Sequence, residues 1–245
     1  MSYKIFALLI ILVIGSTFGY LRYEAMGPKG SYFNQTNRYS LGKSDFWRWS
    51  LGLDNVGDAR GQYFSTDSIV VEVLVARGFE ANEEALRKFV LEVERITGKK
   101  TILVNVDTFD SKFVNASQLD ELSSKYRRHK RYNQGSLFVI YAGDFEGSAE
   151  GPAKAFKDFG ILVSDKVLKE LTAEYRQALR EYMAGAMLNQ FGLQIGLTEH
   201  KNANCIMQSD VQKPGRAVLF NASVLPSAYC DSEIEQAGVI AGMFK

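Results

Sequence analysis

The chain has 245 residues, a formal net charge of +1 and an apolar fraction of 46%, which suits one globular domain of about 200 residues with additions at its ends. Near-neutral charge removes any global electrostatic case for a nucleic-acid partner. Two histidines, His129 and His200, exclude a site built from three histidines of one chain, and two cysteines, Cys205 and Cys230, exclude a disulfide-rich scaffold while allowing one bridge.

At the N-terminus an uncharged run from Ile5 to Leu21 lies between Lys4 and Arg22. As a helix this run spans about 25 Å, slightly short of a hydrocarbon core of about 30 Å. Its apolar centre, Ile5 to Ile14, also fits the core of a signal peptide, but no Ala-x-Ala cleavage site follows among Gly15, Ser16, Thr17 and Gly19. Residues 1–23 read as a membrane anchor or signal segment, an uncleaved N-terminal transmembrane helix being preferred over a cleaved signal and over a buried core helix. Either of the first two readings makes the globular part extracytoplasmic. Single charges on each side leave the orientation undecided. Residues 24–66 read as a tether, with Gly27-Pro28-Lys29-Gly30 and an aromatic group at Phe46, Trp47 and Trp49. Those rings suit either a membrane interface or the outside of the domain. Asn34, Asn115 and Asn221 each open an N-x-Ser/Thr acceptor triplet.

The globular domain is expected over 67–245. Ile69 to Val75 is rich in β-branched residues and predicts a buried strand. Asn82 predicts the start of a helix that presents Leu86, Phe89 or Val90, Val93 and Ile96 on one face and stops at Gly98. Thr101 to Val106 is a second strand, Asn115 to about Arg128 a more polar helix, and Ser136 to Tyr141 a third strand. Strands alternating with helices imply an α/β domain with a mostly parallel sheet. The run Arg127-Arg128-His129-Lys130-Arg131 reads as a solvated helix end. Asp144, Glu146 and Glu150 sit in the next loop, and Gly160 to Ser164 predicts a fourth strand. A long helix then opens at Ser164 or Asp165, with Leu168, Leu171, Tyr175, Leu179, Tyr182 and Ala186 on one face. Continuing that period brings Asn189, Gln190 and Leu193 inward. Further on, Ala217 to Phe220 is a short apolar run, and Ser232 to Glu235 matches a capping box before a final helix. Cys205 and Cys230 are read as a disulfide, with two buried thiols as the alternative.

The segment Asn189-Gln190-Phe191-Gly192-Leu193-Gln194-Ile195-Gly196-Leu197-Thr198-Glu199-His200, followed by Cys205-Ile206-Met207, resembles the zinc helix and Met-turn of the metzincin metallopeptidases, of archaemetzincin or matrixin type. Their pattern is H-E-x-x-H-x-x-G-x-x-H with a later Met-turn. The resemblance implies a metzincin-like domain whose sheet edge, over residues 152–164, flanks a substrate cleft where a peptide binds by strand addition. It also places Gln190 at the general-base position, Asn189 and Leu193 at the first two histidine positions, Gly196 at the motif glycine and Met207 at the Met-turn. Gln190 cannot accept a proton, Asn189 is a poor zinc ligand and Leu193 has no lone pair, so loss of peptidase activity is implied. Only Glu199 and His200 remain as candidate ligands, and no zinc is expected; a zinc peptidase with an altered metal site is the alternative. The sequence therefore predicts a membrane-anchored, extracytoplasmic pseudopeptidase that binds a peptide or protein partner, with a structural subunit of a membrane complex as a further alternative.

Overall fold

The computed structural model describes residues 3–25, 33, 37, 41, 44–51, 59–128, 134–172, 178–200, 205–208 and 226–243. The chain divides into two compact units, Met1–Asp58 and Ala59–Lys245. In the first, α1 (Tyr3–Ala25) and α2 (Asp45–Leu51) share a small cluster of Ala25, Phe33 and Leu51, with Phe18, Leu21, Leu41 and Trp47 against it. Phe46 meets Trp47 edge to face at 5.2 Å, so within its own unit this aromatic group is partly packed. The side chains from Leu9 to Ile14 are exposed. Among the described residues no helix is long and apolar enough to cross a membrane, and the transmembrane helix expected over residues 1–23 finds no support there. Past Ile14 the composition turns polar: Gly15, Ser16, Thr17 and Gly19 follow, and both hydroxyls bond back to the Val13 carbonyl, at 3.0 and 2.8 Å.

The second unit is built on a sheet in the order β2-β1-β4-β7-β6: β1 is Ser68–Ala76, β2 Lys100–Phe109, β4 Gln134–Ala142, β6 Ala153–Phe156 and β7 Gly160–Ser164. All neighbours are parallel except the β6–β7 pair. A separate short pair joins β3 (Phe113–Val114) and β5 (Asp144–Phe145). The central strands are covered on both faces, which is why they read as unbroken apolar runs. On one face Ile69, Val71, Val73, Leu137 and Val139 pack with the helices α4 (Glu83–Thr97) and α7 (Leu179–Ile195); on the other, Leu74, Phe138 and Ile140 pack with Tyr126 of α5 (Ala116–Tyr126). Asn82 caps α4 by accepting from Ala85 N–H at 2.9 Å, and Gly98 ends it in the left-handed region at φ 66°. Asn115 and Gln118 form a reciprocal capping box on α5. The helix α3 (Ala59–Phe64) precedes the first strand and sends Tyr63 and Phe64 into the same core.

Three local expectations need correction. The long helix is two pieces: α6 (Asp165–Leu171), capped by the Ser164 hydroxyl, ends at Thr172, and α7 resumes at Leu179. Thr172 turns its hydroxyl back to the Leu168 carbonyl at 2.8 Å, closing the last turn. Residues 173–177 and the apolar run 217–220 lie outside the described residues. Arg127 is not solvated. It is buried, donates to the Ser136 hydroxyl at 3.0 Å and stacks over the Phe159 ring at 3.7 Å, next to buried Glu72, which accepts from the same hydroxyl and from Arg128 N–H. Finally, the last helix, α8 (Asp231–Gly242), has its capping box at Cys230 and Glu233 instead of Ser232 and Glu235.

Between α4 and α7, Glu181 is paired with Lys88 and Arg180. Burial works to raise its pKa, but hydrogen bonds from Lys88, Ser227 and Arg180, together with the attraction of Lys88, hold it down to about 2 from 4.5. A depressed carboxylate stabilises the fold fully above its unfolded pKa and loses that contribution as pH falls through the folded value. We therefore expect stability to decline between pH 4.5 and about 2. In denaturant titrations across that range, Glu181→Gln lowers stability at neutral pH and flattens the acid limb.

Candidate functional site

The end of α7 forms one wall of the site. The helix is buried along Met183, Met187, Phe191 and Ile195, with Phe191 in edge-to-face contact with Tyr63 at 5.0 Å and Phe89 at 6.2 Å. Gly196 closes it in the left-handed region at φ 91°, where a side chain would be strained. The chain then doubles back: His200 N–H donates to the Met207 carbonyl at 2.9 Å. Fully buried Met207 lies directly on Gly192, where a Cβ would come within 2.3 Å of its Sδ. The glycine makes room for the methionine.

The side chains of Asn189 and Gln190 are joined in a line of amides. The Ala155 N–H of β6 donates to Gln190 Oε1 at 2.7 Å; Gln190 Nε2 donates to Asn189 Oδ1 at 3.3 Å; buried Asn189 donates from Nδ2 to the Ile206 carbonyl at 3.0 Å. This line ties the edge strand, the helix and the Met-turn together. One turn later, Gln194 Nε2 donates to the Gly160 carbonyl at 2.8 Å, and its buried Oε1 has no partner among the described residues. Leu193 is 40% exposed, which corrects the expectation that it faces inward with Asn189. The resemblance implies zinc on this helix, and these residues do not fit it: Asn189 is spent on the amide line, Leu193 has no donor atom, and a zinc site needs three or more protein ligands.

A second set of residues gathers side chains of metal-ligand type. His200, Cys205, Cys230 and Glu233 place their ligand atoms within 4.8 Å of one another. His200 Nε2 is 3.1 Å from Glu233 Oε1. Glu233, 1% exposed, also accepts from Met207 N–H at 2.6 Å and from Cys230 N–H at 2.9 Å. Thiolate, imidazole and carboxylate are the donor types of tetrahedral zinc, although both sulfurs are here joined as a disulfide, as the sequence led us to expect, with Cα atoms 5.2 Å apart. Glu199, the expected companion of His200, is exposed and lies outside this group. Glu233 takes its place, and the signal for it was the Cys230-x-x-Glu233 spacing. The other acidic candidates do not join either set. Asp144 accepts from Phe145 N–H, Ser164 and Lys166; burial works to raise its pKa, but bonds from Ser148, Phe145 N–H and Lys166, with the attraction of Lys166, hold it below the usual carboxylate range. Glu146 accepts from Ala116 N–H at 3.3 Å, and Glu150 makes a long ion pair with Lys154.

No protein-family model matches the chain, and no curated protein matches it. Solved structures do. An archaemetzincin from Methanopyrus kandleri superposes with a TM-score of 0.53 at 11% identity, covering 72% of this chain and 97% of that one. An archaemetzincin from Archaeoglobus fulgidus, complexed with malonate, gives 0.43 at 13% identity over 68% of this chain and 99% of its own. A zinc-dependent peptidase from Methanocorpusculum labreanum gives 0.47 at 14% identity, again over 68% and 99%. The first of these likenesses speaks for the fold, and the metzincin-like fold expected from residues 189–207 is present. Because Gly192 and Met207 fill the same space, Gly192→Ala is expected to destabilise the domain by about 1–3 kcal/mol, read as a lowered midpoint in thermal or denaturant unfolding.

Proposed function

We propose that this chain is a metzincin-fold domain that binds a peptide or protein partner without cleaving it. The observation behind this reading is the amide line through Gln190 and Asn189. The side chains that would grip a metal and take a proton in a peptidase are neutral, and they are occupied in bracing the edge of the sheet. The partner would lie along β6, adding a strand through the backbone groups that Gln190 leaves unused. Exposed Leu193, between Gln190 and Gln194 on the same helix, offers an apolar contact.

A second reading, a zinc peptidase with an altered metal site, draws support from the peptidase fold and from the grouping of His200, Cys205, Cys230 and Glu233. The two separate cleanly. The full chain, incubated with zinc and a mixed peptide pool, is expected to leave the pool intact while retaining some peptides on a column. Zinc-dependent cleavage that disappears in Gln190→Ala would overturn the first reading in favour of the second.

The same proposal keeps the N-terminus at a membrane, with the domain outside the cytoplasm. Six consecutive exposed apolar side chains, Leu9 to Ile14, carry the membrane contact, since such a surface is uncommon on a chain surrounded by water. Carbonate washing of membranes tests it: the full chain should stay with the membrane and a chain lacking residues 1–23 should wash off. Equal release of both would sink the idea.

A further inference from the structure

The sheet has two outer edges, and the amide line braces only one of them. The other is β2, ten residues long, and among the described residues no strand pairs with its outer side. A bare edge invites pairing with another chain and is commonly blunted by charge or by a bulge. In β2 these devices sit away from the middle of the strand. Along a strand the backbone groups of successive residues turn alternately toward one neighbour and the other. Phe109 turns inward, since its carbonyl accepts from Arg77 N–H at 2.8 Å at the end of β1. Thr101 turns outward, where the Glu94 carboxylate accepts its N–H at 3.1 Å. Val106 is an extra residue, because Val73 pairs with Asn105 and Leu74 with Asp107. With that bulge counted, Leu103, Asn105 and Thr108 turn outward as well. Asp107 Oδ1 takes the Thr108 N–H at 2.8 Å. Carboxylates thus occupy the outward N–H at each end, and Leu103 and Asn105 lie between them.

This middle stretch is complementary to itself. A second β2 set antiparallel to the first, on a two-fold axis at Leu103, puts Ile102 opposite Val104, Thr101 opposite Asn105 and Lys100 opposite Asp107. The bulge is what makes the last pair possible: without it, Lys100 and Asp107 would point to opposite faces of the sheet. Lys100 and Asp107 are exposed, Leu103 and Val104 are half-buried, and Ile102 is 39% exposed. Opposite charges and branched apolar side chains directly across from each other stabilise an antiparallel pair. Arg128 approaches Asp107 only to 3.9 Å, which leaves that carboxylate open to a second cation. We propose that the occupant of this edge is a second copy of the chain, joined through β2 in a two-fold, isologous pair. Leu103 N–H of each copy donates to the Leu103 carbonyl of the other, and Asn105 N–H donates to the Thr101 carbonyl, so that two five-stranded sheets become one. Glu94 keeps the Thr101 N–H and limits the length of the new ladder. The edge lies across the sheet from β6, so this inference stands whether or not a peptide binds there.

The experiment is sedimentation of the full chain, in a mild detergent, over a range of concentrations. The mass should rise with concentration from one chain, 27.4 kDa, to two, and added salt should weaken the pairing. Lys100→Glu or Asp107→Lys alone sets like charges opposite each other twice in every pair and should weaken association about tenfold. Both exchanges together restore opposite charges and should recover most of that loss. The register is read with cysteines. The chain's own two are bonded to each other, so a new one can link only to another copy. Chains with Ile102→Cys, mixed with chains carrying Val104→Cys, should join on mild oxidation faster than either kind joins to itself. The proposal is overturned if the chain stays single throughout, if it pairs but neither charge exchange weakens it, if the double exchange pairs no better than the single ones, or if the mixed chains link no faster than the separate ones. Sedimentation of the unaltered chain and the cysteine mixture decide the matter even if a charge variant does not fold.

Discussion

The contact of Met207 on Gly192 fixes the distance between α7 and the turn that follows it, and the rest of the site is set out from that distance. Only a residue without a side chain lets a buried methionine approach a helix so closely. Once it does, the Ile206 carbonyl comes within reach of Asn189 and the Met207 N–H within reach of Glu233. The packing contact thus comes first, and the polar contacts on either side depend on it.

The two flanks of that contact are chemically different. Toward β6 the groups are neutral amides that satisfy one another and a strand edge. Toward α8 they are a carboxylate, an imidazole and two sulfurs, types that respond to protons, electrons and metals. A zinc peptidase keeps its reactive groups on the helix side. Here the carboxylate, the imidazole and the disulfide lie on the other side of the methionine.

Much of this was legible in the sequence because the local signals were strong. β-Branched runs gave the central strands, Asn82 and Gly98 marked both ends of a helix, and the spacing from Asn189 to Met207 gave the frame of the site. What was missed depended on long-range contacts. Arg127 reads as one of five basic and neutral-basic residues at a helix end, and only the position of Glu72 and Ser136, remote in sequence, makes it a buried residue. Leu193 follows the helical period inward, but the helix stops three residues later at Gly196, and the side of its last turn that carries Leu193 is open to solvent while Gly192 and Ile195 stay buried. Glu233 was overlooked because a serine is the better-known cap, so the capping box was set two residues late.

The brace through Gln190 and Asn189 contains no group that ionises over the ordinary pH range. A pair of histidines on a catalytic ion lets go when acid protonates them or when a chelator strips the ion away. Carboxamides do neither. The bonds from Gln190 and Asn189 to the edge strand and the Met-turn therefore carry no charge that a change of pH would add or remove.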